Sequence, residues 1–204
     1  MNVPDAIVLA AYASLVVELT AFPIRSEASV GQLLLARDGG AGALARARGR
    51  GLAAKLLCYA LPTAVGVALF LLPLAGIASA AARAALFPWS WPALVWPGVF
   101  LVVLGRVVTS ASLLPLRRAQ RPSYLPGGLF RLSRNPGLCG MYLFYLGLCL
   151  AMGGPWLWFG LPLYLGNMHQ RVLLEEASLA ATHGPVWHGY AARVARYLPI
   201  GRLR

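Results

Sequence analysis

The amino-acid sequence predicts an all-α fold, a polytopic membrane helix bundle with about five transmembrane helices and a cytoplasmic C-terminal helical tail. Of its 204 residues, 59% are hydrophobic and only 12% are charged. That balance leaves too little polar surface to cover a soluble domain of this size. The apolar residues fall into five separate runs, and the basic residues concentrate in alternate loops between them. We therefore expect residues 1–204 to form a single membrane domain.

The predicted spanning segments cover residues 3–22, 52–78, 92–114, 138–152 and 156–168. At a rise of 1.5 Å per residue, the first three are long enough to cross about 30 Å of hydrocarbon. The last two are shorter, and only Gly153, Gly154 and Pro155 separate them. This spacing predicts that they form one short helical hairpin.

The distribution of basic residues predicts the orientation. Arginines fill the loops after segments one and three and the tail after segment five, whereas only Arg83 lies between segments two and three. Because basic loops stay in the cytoplasm, the N-terminus is expected outside and the C-terminal tail inside. The assignment places four tryptophans at the outer interface, which interfacial aromatic rings favour: Trp89, Trp91, Trp156 and Trp158. The same bias explains the net charge of +12, so the charge does not indicate that the protein binds nucleic acid.

Two segments outside the spans have distinct compositions. Residues 36–51 are rich in Gly, Ala and Arg, which is typical of a flexible or interfacial linker that contacts anionic lipid. Residues 170–204 form the tail, in which His183-Gly184-Pro185 predicts that a helix stops and restarts and Pro199 predicts a final break. The cysteines form no CxxC motif, so we expect Cys58, Cys139 and Cys149 to be small packing residues.

Arg106 is unusual because it lies inside the third apolar segment. It precedes Arg117 by eleven positions, which on a helix corresponds to a depth of about 16 Å. A basic group at that depth is costly in lipid, so it should face the bundle interior or a watery cavity, with Glu18 as a candidate partner. A structural ion pair with a snorkelling arginine is the alternative.

The tail helix places an arginine and two carboxylates near the membrane surface. Arg171 and Glu175 are four residues apart and share a helix face, while Glu176 follows directly. An intrahelical ion pair is the simple interpretation, but arginine before glutamate is the less favourable order. These groups are also suited to bind a ligand at the membrane surface.

The stretch Arg134-Asn135-Pro136-Gly137 predicts a turn directly before a hydrophobic helix. Glycine exposes the backbone there and proline fixes it. The N–H groups of the first helical turn favour an anionic group such as a carboxylate.

In combination these features resemble the isoprenylcysteine carboxyl methyltransferase and phospholipid methyltransferase superfamily of membrane enzymes. The resemblance covers residues 105–204, the methyltransferase-like cofactor-binding part, and leaves residues 1–104 as a variable N-terminal transmembrane part. The matching blocks are Gly128-Leu129-Phe130, Arg134-Asn135-Pro136-Gly137-Leu138-Cys139-Gly140, Glu175-Glu176-Ala177-Ser178-Leu179, His183-Gly184-Pro185-Val186-Trp187-His188-Gly189-Tyr190 and Val194-Ala195-Arg196-Tyr197-Leu198-Pro199. The chain departs from the family pattern at four positions: Asn135 replaces His, Leu138 replaces Tyr, His183 replaces Phe and Trp187 replaces Tyr.

The resemblance implies an S-adenosyl-L-methionine-dependent methyltransferase that binds its cofactor on the cytoplasmic side. The implied cofactor contacts are Arg134, Asn135, Pro136, Gly140, Glu175, Tyr190 and Arg196. Arg171 and Glu176 would orient or deprotonate the methyl acceptor, and Arg106 would line its path. The acceptor would be a lipid or small hydrophobic molecule reached from the bilayer, and no metal or nucleic acid is implied. Heavy use of Arg and Ala with a single lysine suggests a GC-rich genome and hence a bacterial inner membrane.

Two other functions remain open at this point. A membrane sterol-type reductase shares the architecture and a similar loop but would use NADPH. A non-enzymatic membrane protein with a degenerate site is the other alternative. Its best argument is Asn135, because an amide cannot titrate near neutral pH as histidine does.

Overall fold

The computed structural model of the chain describes residues 2–21, 34, 42–89, 91–118 and 127–197. All regular secondary structure within these ranges is helical. The α-helices are α1 (Val3–Ala21), α2 (Gly42–Arg48), α3 (Leu52–Lys55), α4 (Leu61–Ala78), α5 (Ala80–Leu86), α6 (Pro92–Arg118), α7 (Pro136–Met152) and α8 (Pro155–Arg193). A π-helical turn, Leu56–Ala60, joins α3 to α4, and a 3₁₀ turn, Gly128–Arg131, precedes α7.

Three helical segments of the described chain are long and apolar enough to cross a membrane. They are Val3–Thr20, Leu52–Ala78 and Pro92–Leu113, and α7 is a shorter apolar helix. The predicted helical membrane bundle is thus confirmed in this coarse form, whereas the number of five spans stays a prediction.

The second span changes helical geometry at its first proline. Pro62 has no N–H and would leave a backbone carbonyl of the preceding turn without its usual partner. The π-helical turn Leu56–Ala60 stands directly before it, and α4 begins with Pro62 in its first turn. A π-turn of this kind absorbs such a mismatch without breaking the helix.

Glycines set the contact between α6 and α7. A Cβ at Gly105 would lie 2.5 Å from the carbonyl oxygen of Gly140, and one at Gly147 would lie 2.6 Å from that of Gly98. Residues seven apart share a helix face, so each helix presents a row of glycines to the other. The two backbones can therefore approach closely, which is how membrane helices gain packing energy.

An aromatic cluster joins α1, α4 and α7 in the core. Tyr12 lies with its ring centroid 5.2 Å from that of Phe70 and 5.4 Å from that of Phe144. The Tyr12 hydroxyl donates a hydrogen bond to the carbonyl oxygen of Phe70. Tyr145 is fully buried beside them. Edge and tilted contacts of this kind add to the stabilisation from burial.

The predicted connection between the last two apolar segments is confirmed, but their packing differs from a simple hairpin. Gly153 ends α7 in the left-handed conformation (φ 67°), and α8 begins at Pro155. However, α7 packs chiefly on α6, and α8 packs more on α4 than on α7. The glycines between α6 and α7 explain why α7 packs chiefly on α6, because they allow the backbones of these two helices to approach closely.

The expectations for the linker, the cysteines and the tail have mixed outcomes. Gly42–Arg48 is helical, packs against α8 and buries Ala47, so this part of the expected linker is structured. The remainder of the linker before residue 42, and Pro199, lie outside the described residues. Cys149 is buried as predicted, whereas Cys58 is exposed. The predicted stop in the tail is confirmed: Gly184 (φ 50°, ψ −124°) divides α8 into two helical parts.

The four tryptophans lie at one end of the bundle, here called the tryptophan end. Trp89, Trp91 and Trp158 line an open apolar groove of about 450 Å³ beside the α7–α8 turn. Each of the four is between 42% and 63% exposed. Their clustering agrees with an interfacial position.

Candidate functional site

The loop before α7 and the tail after α8 meet at the opposite end of α7 from the tryptophan end. The Arg134 N–H donates a hydrogen bond of 2.8 Å to the carbonyl oxygen of Ala195. Ser133 and Ala195 form a parallel β-bridge. The contact joins two sequence blocks that lie about sixty residues apart in the chain. We call the residues around this junction the loop–tail site.

Asn135 and Ser133 fasten the junction through their side chains. The Asn135 amide donates to the carbonyl oxygen of Arg196 at 3.1 Å. The Ser133 hydroxyl donates to the same carbonyl at 3.3 Å and accepts the N–H of Asn135 at 3.1 Å. Asn135 was predicted as a cofactor contact, but its amide nitrogen is used to hold the tail. Ser133, which is 4% exposed, was not predicted.

Glu176 forms the centre of the site, between two arginines. Arg196 binds both of its carboxylate oxygens, with Nε at 3.1 and 3.0 Å and Nη2 at 2.8 Å. Arg134 Nη1 lies 3.3 Å from Glu176 Oε1. The hydrogen bonds to Glu176 raise the pKa of Arg196. Because both oxygens are already bound, Glu176 is placed to hold the two arginines, rather than to take a proton from an acceptor as the sequence predicted.

Arg134 has further contacts that fix its guanidinium. Its Cζ lies 5.9 Å from the ring of Trp187, a cation–π contact. Its Nε is buried without a hydrogen-bond partner among the described residues. The Trp187 contact explains why a large aromatic ring stands at this position, and the Nε atom is a buried donor whose hydrogen bond is not made by any described residue.

Tyr190 is buried, and its hydroxyl donates 2.8 Å to the carbonyl oxygen of Phe130. Desolvation raises the pKa of Tyr190 to about 12, Arg134 opposes this shift and Glu176 adds to it. The phenol is therefore protonated and acts as a donor at neutral pH. This bond ties α8 to the 3₁₀ turn, so the hydroxyl that was expected to close over a cofactor holds the protein together instead.

Glu175 and Arg171 have no ion-pair partner within 4 Å in the described part of the chain, so the intrahelical pair between them is absent. The Glu175 side chain is exposed, unlike that of Glu176. Neighbouring groups nevertheless exclude some water, and this desolvation raises the pKa of Glu175, while Arg171 opposes the shift. Both side chains remain available to a ligand.

Gly140 has a different role from the one predicted. A Cβ at this position would lie 2.5 Å from Thr109 Oγ1 and 2.6 Å from the carbonyl oxygen of Gly105. Close packing on α6 therefore accounts for the glycine. Pro136, in contrast, occupies the first turn of α7 as expected for a residue that starts the helix.

Arg106 lies outside the loop–tail site, on the α1 side of α6. It is 5% exposed, with Nη2 2.6 Å from Glu18 Oε2 and Nε 3.0 Å from the Ser14 hydroxyl. The Ser110 hydroxyl donates to the other oxygen of Glu18. The predicted Arg106–Glu18 pair is confirmed, and it links α1 to α6.

A second polar contact of the tail was missed by the sequence interpretation. His169 Nδ1 lies 2.7 Å from the Tyr197 hydroxyl. The Tyr197 ring also lies 5.8 Å from that of Tyr142 on α7. The sequence did carry one indication that His169 belongs beside the site. It lies seven residues before Glu176, an interval that places both side chains on one face of α8.

Comparisons with known proteins give no match: no family model, no curated protein and no solved structure matches the chain.

Proposed function

We propose that the chain is an integral membrane methyltransferase that uses S-adenosyl-L-methionine and acts on a lipid-like or small hydrophobic acceptor. One observation carries the proposal. The loop around Arg134 and the tail around Glu176 and Arg196 converge beside the start of α7, although forty to sixty residues separate them. The resemblance is built from these same blocks, and a shared cofactor site requires them to meet.

The chemistry of the site suits this cofactor. Its amino-acid end carries a carboxylate and an ammonium, and its ribose carries two hydroxyls. Arg134 has a buried Nε donor without a hydrogen-bond partner among the described residues, and the N–H groups at the start of α7 favour a carboxylate. Glu175 is exposed without an ion pair to a described residue, so it can bind the ammonium or the ribose hydroxyls.

When bound, the cofactor would supply a methyl group on a sulfonium sulfur, and in-line attack of an acceptor on the methyl carbon would release the sulfur as a thioether. The residues of the chain would contribute orientation and exclusion of water, because alignment of the reactants lowers the barrier most in such a reaction. Glu176 keeps Arg134 and Arg196 together, and Asn135 and Tyr190 hold the loop against the tail. Arg171, on α8 near Glu175, would orient the polar end of the acceptor.

The proposal is tested by thermal unfolding of the detergent-purified protein with S-adenosylhomocysteine or NADPH. A ligand that binds only the native state raises its stability by mass action, by about 2.7 kcal/mol at a hundred times its Kd. We expect stabilisation by S-adenosylhomocysteine alone.

Glu175→Ala should remove this stabilisation while the unliganded protein unfolds as before. The control is Asp5→Asn, which also removes a carboxylate but lies far from the site, where Asp5 pairs with Arg83 on α5. The stabilisation that S-adenosylhomocysteine adds should be the same in this variant as in the wild type. A shift with NADPH alone would favour the reductase, and no shift with either ligand would favour a non-enzymatic protein.

A further inference from the structure

We infer that His169 is the proton acceptor of the loop–tail site, and that the methyl acceptor carries a proton on its reacting atom at neutral pH. The inference rests on the proposed function and narrows its substrate class to thiols, amines or hydroxyl compounds. A carboxylate acceptor would need no such base, because it is already ionised at neutral pH.

The first step of the argument is that the other candidate bases are occupied or unsuited; Glu175, which has no ion-pair partner among the described residues, is assigned to the cofactor in the proposed function. Both oxygens of Glu176 are bound by Arg196, and Arg134 also approaches one of them. Asn135, at the position where the resembled family has histidine, has no titrating group. Of the three histidines in the chain, His169 is the one with a side-chain partner from the tail.

The second step is position. His169 and Glu176 lie seven residues apart on one face of α8, about 10 Å along the helix axis. The tail folds back along this face, with Arg196 opposite Glu176 and Tyr197 opposite His169. His169 therefore lies on the same face of α8 as Glu176, and its partner Tyr197 directly follows Arg196 in the tail.

The third step is the orientation of the imidazole. The Nδ1 atom lies 2.7 Å from the Tyr197 hydroxyl, and this contact holds the ring in place whichever of the two groups donates. The proposal requires the tautomer with the proton on Nδ1, in which Nε2 is the nitrogen that accepts a proton. Tyr197 is thus the positioning residue for His169.

The chemical step balances without another reactant. His169 Nε2 takes the proton from the S–H, N–H or O–H of the acceptor. The freed electron pair forms the bond to the methyl carbon, and the bond between methyl and sulfonium sulfur breaks with its electrons left on sulfur. The imidazolium then releases its proton to water.

Other ionisable groups surround His169 and would affect its pH profile. They lie on its own helix and on the tail, α7 and α2, which pack against α8: Arg171, Glu175, Glu176, Arg196, Tyr197, Cys139, Tyr142, Arg46 and Arg48. The profile must therefore be compared between variants, since only the change caused by removing the imidazole reports on His169.

The test uses the full chain in detergent with methyl-labelled S-adenosylmethionine and three acceptors that share one alkyl chain: dodecanethiol, dodecylamine and dodecanoate. We expect transfer to the thiol or the amine, and a rate that falls as the pH is lowered, because a base that is already protonated cannot take the proton of the acceptor. His169→Asn should lower kcat about a hundredfold or more and abolish this pH dependence.

Tyr197→Phe should lower kcat less than His169→Asn does and should leave KM unchanged. This second variant tests the assignment if His169→Asn is poorly folded. His188→Asn is the matched control, because His188 is exposed and Tyr197 contacts His169 instead, and it should leave rate and profile unchanged.

Binding of S-adenosylhomocysteine distinguishes failure of the proposed function from failure of the His169 assignment. If the wild-type protein does not bind it, the proposed function fails. If wild type and His169→Asn both bind it, the assignment of His169 is overturned by unchanged transfer in the variant, by preference for dodecanoate, or by transfer to none of the three acceptors.

Discussion

At the scale of single residues, adjacent glutamates have opposite environments. Glu176 is held by two guanidinium groups, whereas Glu175 is exposed without an ion pair to a described residue. Consecutive residues on a helix are separated by about 100°, so neighbours in sequence face different surroundings. The first builds the site, and the second is open to a ligand.

Glu176→Gln tests the structural part of this division. The amide keeps the shape but loses the charge that holds Arg134 and Arg196, which should cost about 1–3 kcal/mol of folding stability. Affinity for S-adenosylhomocysteine should fall at least about tenfold. Calorimetric titration and thermal unfolding measure the two effects, and Glu175→Gln, by contrast, should weaken binding without lowering the unfolding temperature. Equal loss of stability in both variants would contradict the division.

The sequence predicted the roles of individual site residues less well than it predicted which residues form the site. It indicated Arg134, Glu176 and Arg196 as one site, because the spacing of their blocks matched the resemblance. It assigned Asn135, Gly140 and Tyr190 to a cofactor, yet their atoms hold the tail, pack against α6 or bind Phe130. Polar and small residues near a site serve folding and binding alike, and only side-chain contacts distinguish these uses.

At the scale of elements, the glycine rows of α6 and α7 determine which helices pair. The sequence placed the start of α7 at residue 138, two residues later than the observed start at Pro136, and placed its end correctly before Gly153. It did not predict that α6 would be the main partner of α7. That preference depends on glycines in two segments that meet only in the fold.

Gly140→Leu should separate α6 from α7. The new side chain would meet Thr109 and the Gly105 backbone, where a Cβ alone would lie 2.5 Å from Thr109 Oγ1. Overpacking of this kind costs about 1–3 kcal/mol, and we expect a lower unfolding temperature in detergent. Gly166→Ala is the control, because its Cβ would have no atom within 4 Å; a similar loss there would show that any glycine change on these helices is harmful.

The Arg106–Glu18 pair makes a second prediction about elements. Arg106→Leu leaves the Glu18 carboxylate partly buried without its partner, which should cost about 3–5 kcal/mol, as breaking buried pairs does. The double variant with Glu18→Leu should recover most of the loss, because no uncompensated charge remains. Thermal unfolding of the two variants provides the comparison. If the double variant is the less stable, α1 is held to α6 by the charges themselves.

At the scale of the whole molecule, the loop–tail site and the tryptophan end lie at opposite ends of α7. Asn135 precedes the first residue of this helix and the tryptophan groove surrounds the turn after its last residue. The arginine distribution predicts that the loop–tail site faces the cytoplasm and that the tryptophans lie at the outer surface.

Cysteine labelling tests this orientation. With the natural cysteines replaced, Ala85→Cys on α5 should react with a membrane-impermeant maleimide in intact cells. Ala181→Cys on α8 should react only after the membrane is opened. Both side chains are exposed in the fold, so accessibility reports the side of the membrane. Labelling of Ala181→Cys in intact cells would reverse the assignment.

The junction between Ser133 and Ala195 has a consequence for biosynthesis. Residues 187–197 leave the ribosome after every apolar segment of the described chain has been synthesised. Glu176 meets Arg196, and Asn135 meets the carbonyl of that residue, only when the tail has been released and folds back. Insertion into the bilayer therefore precedes assembly of the site. A nascent chain stalled before residue 195 would contain all of these apolar helices yet lack the loop–tail site.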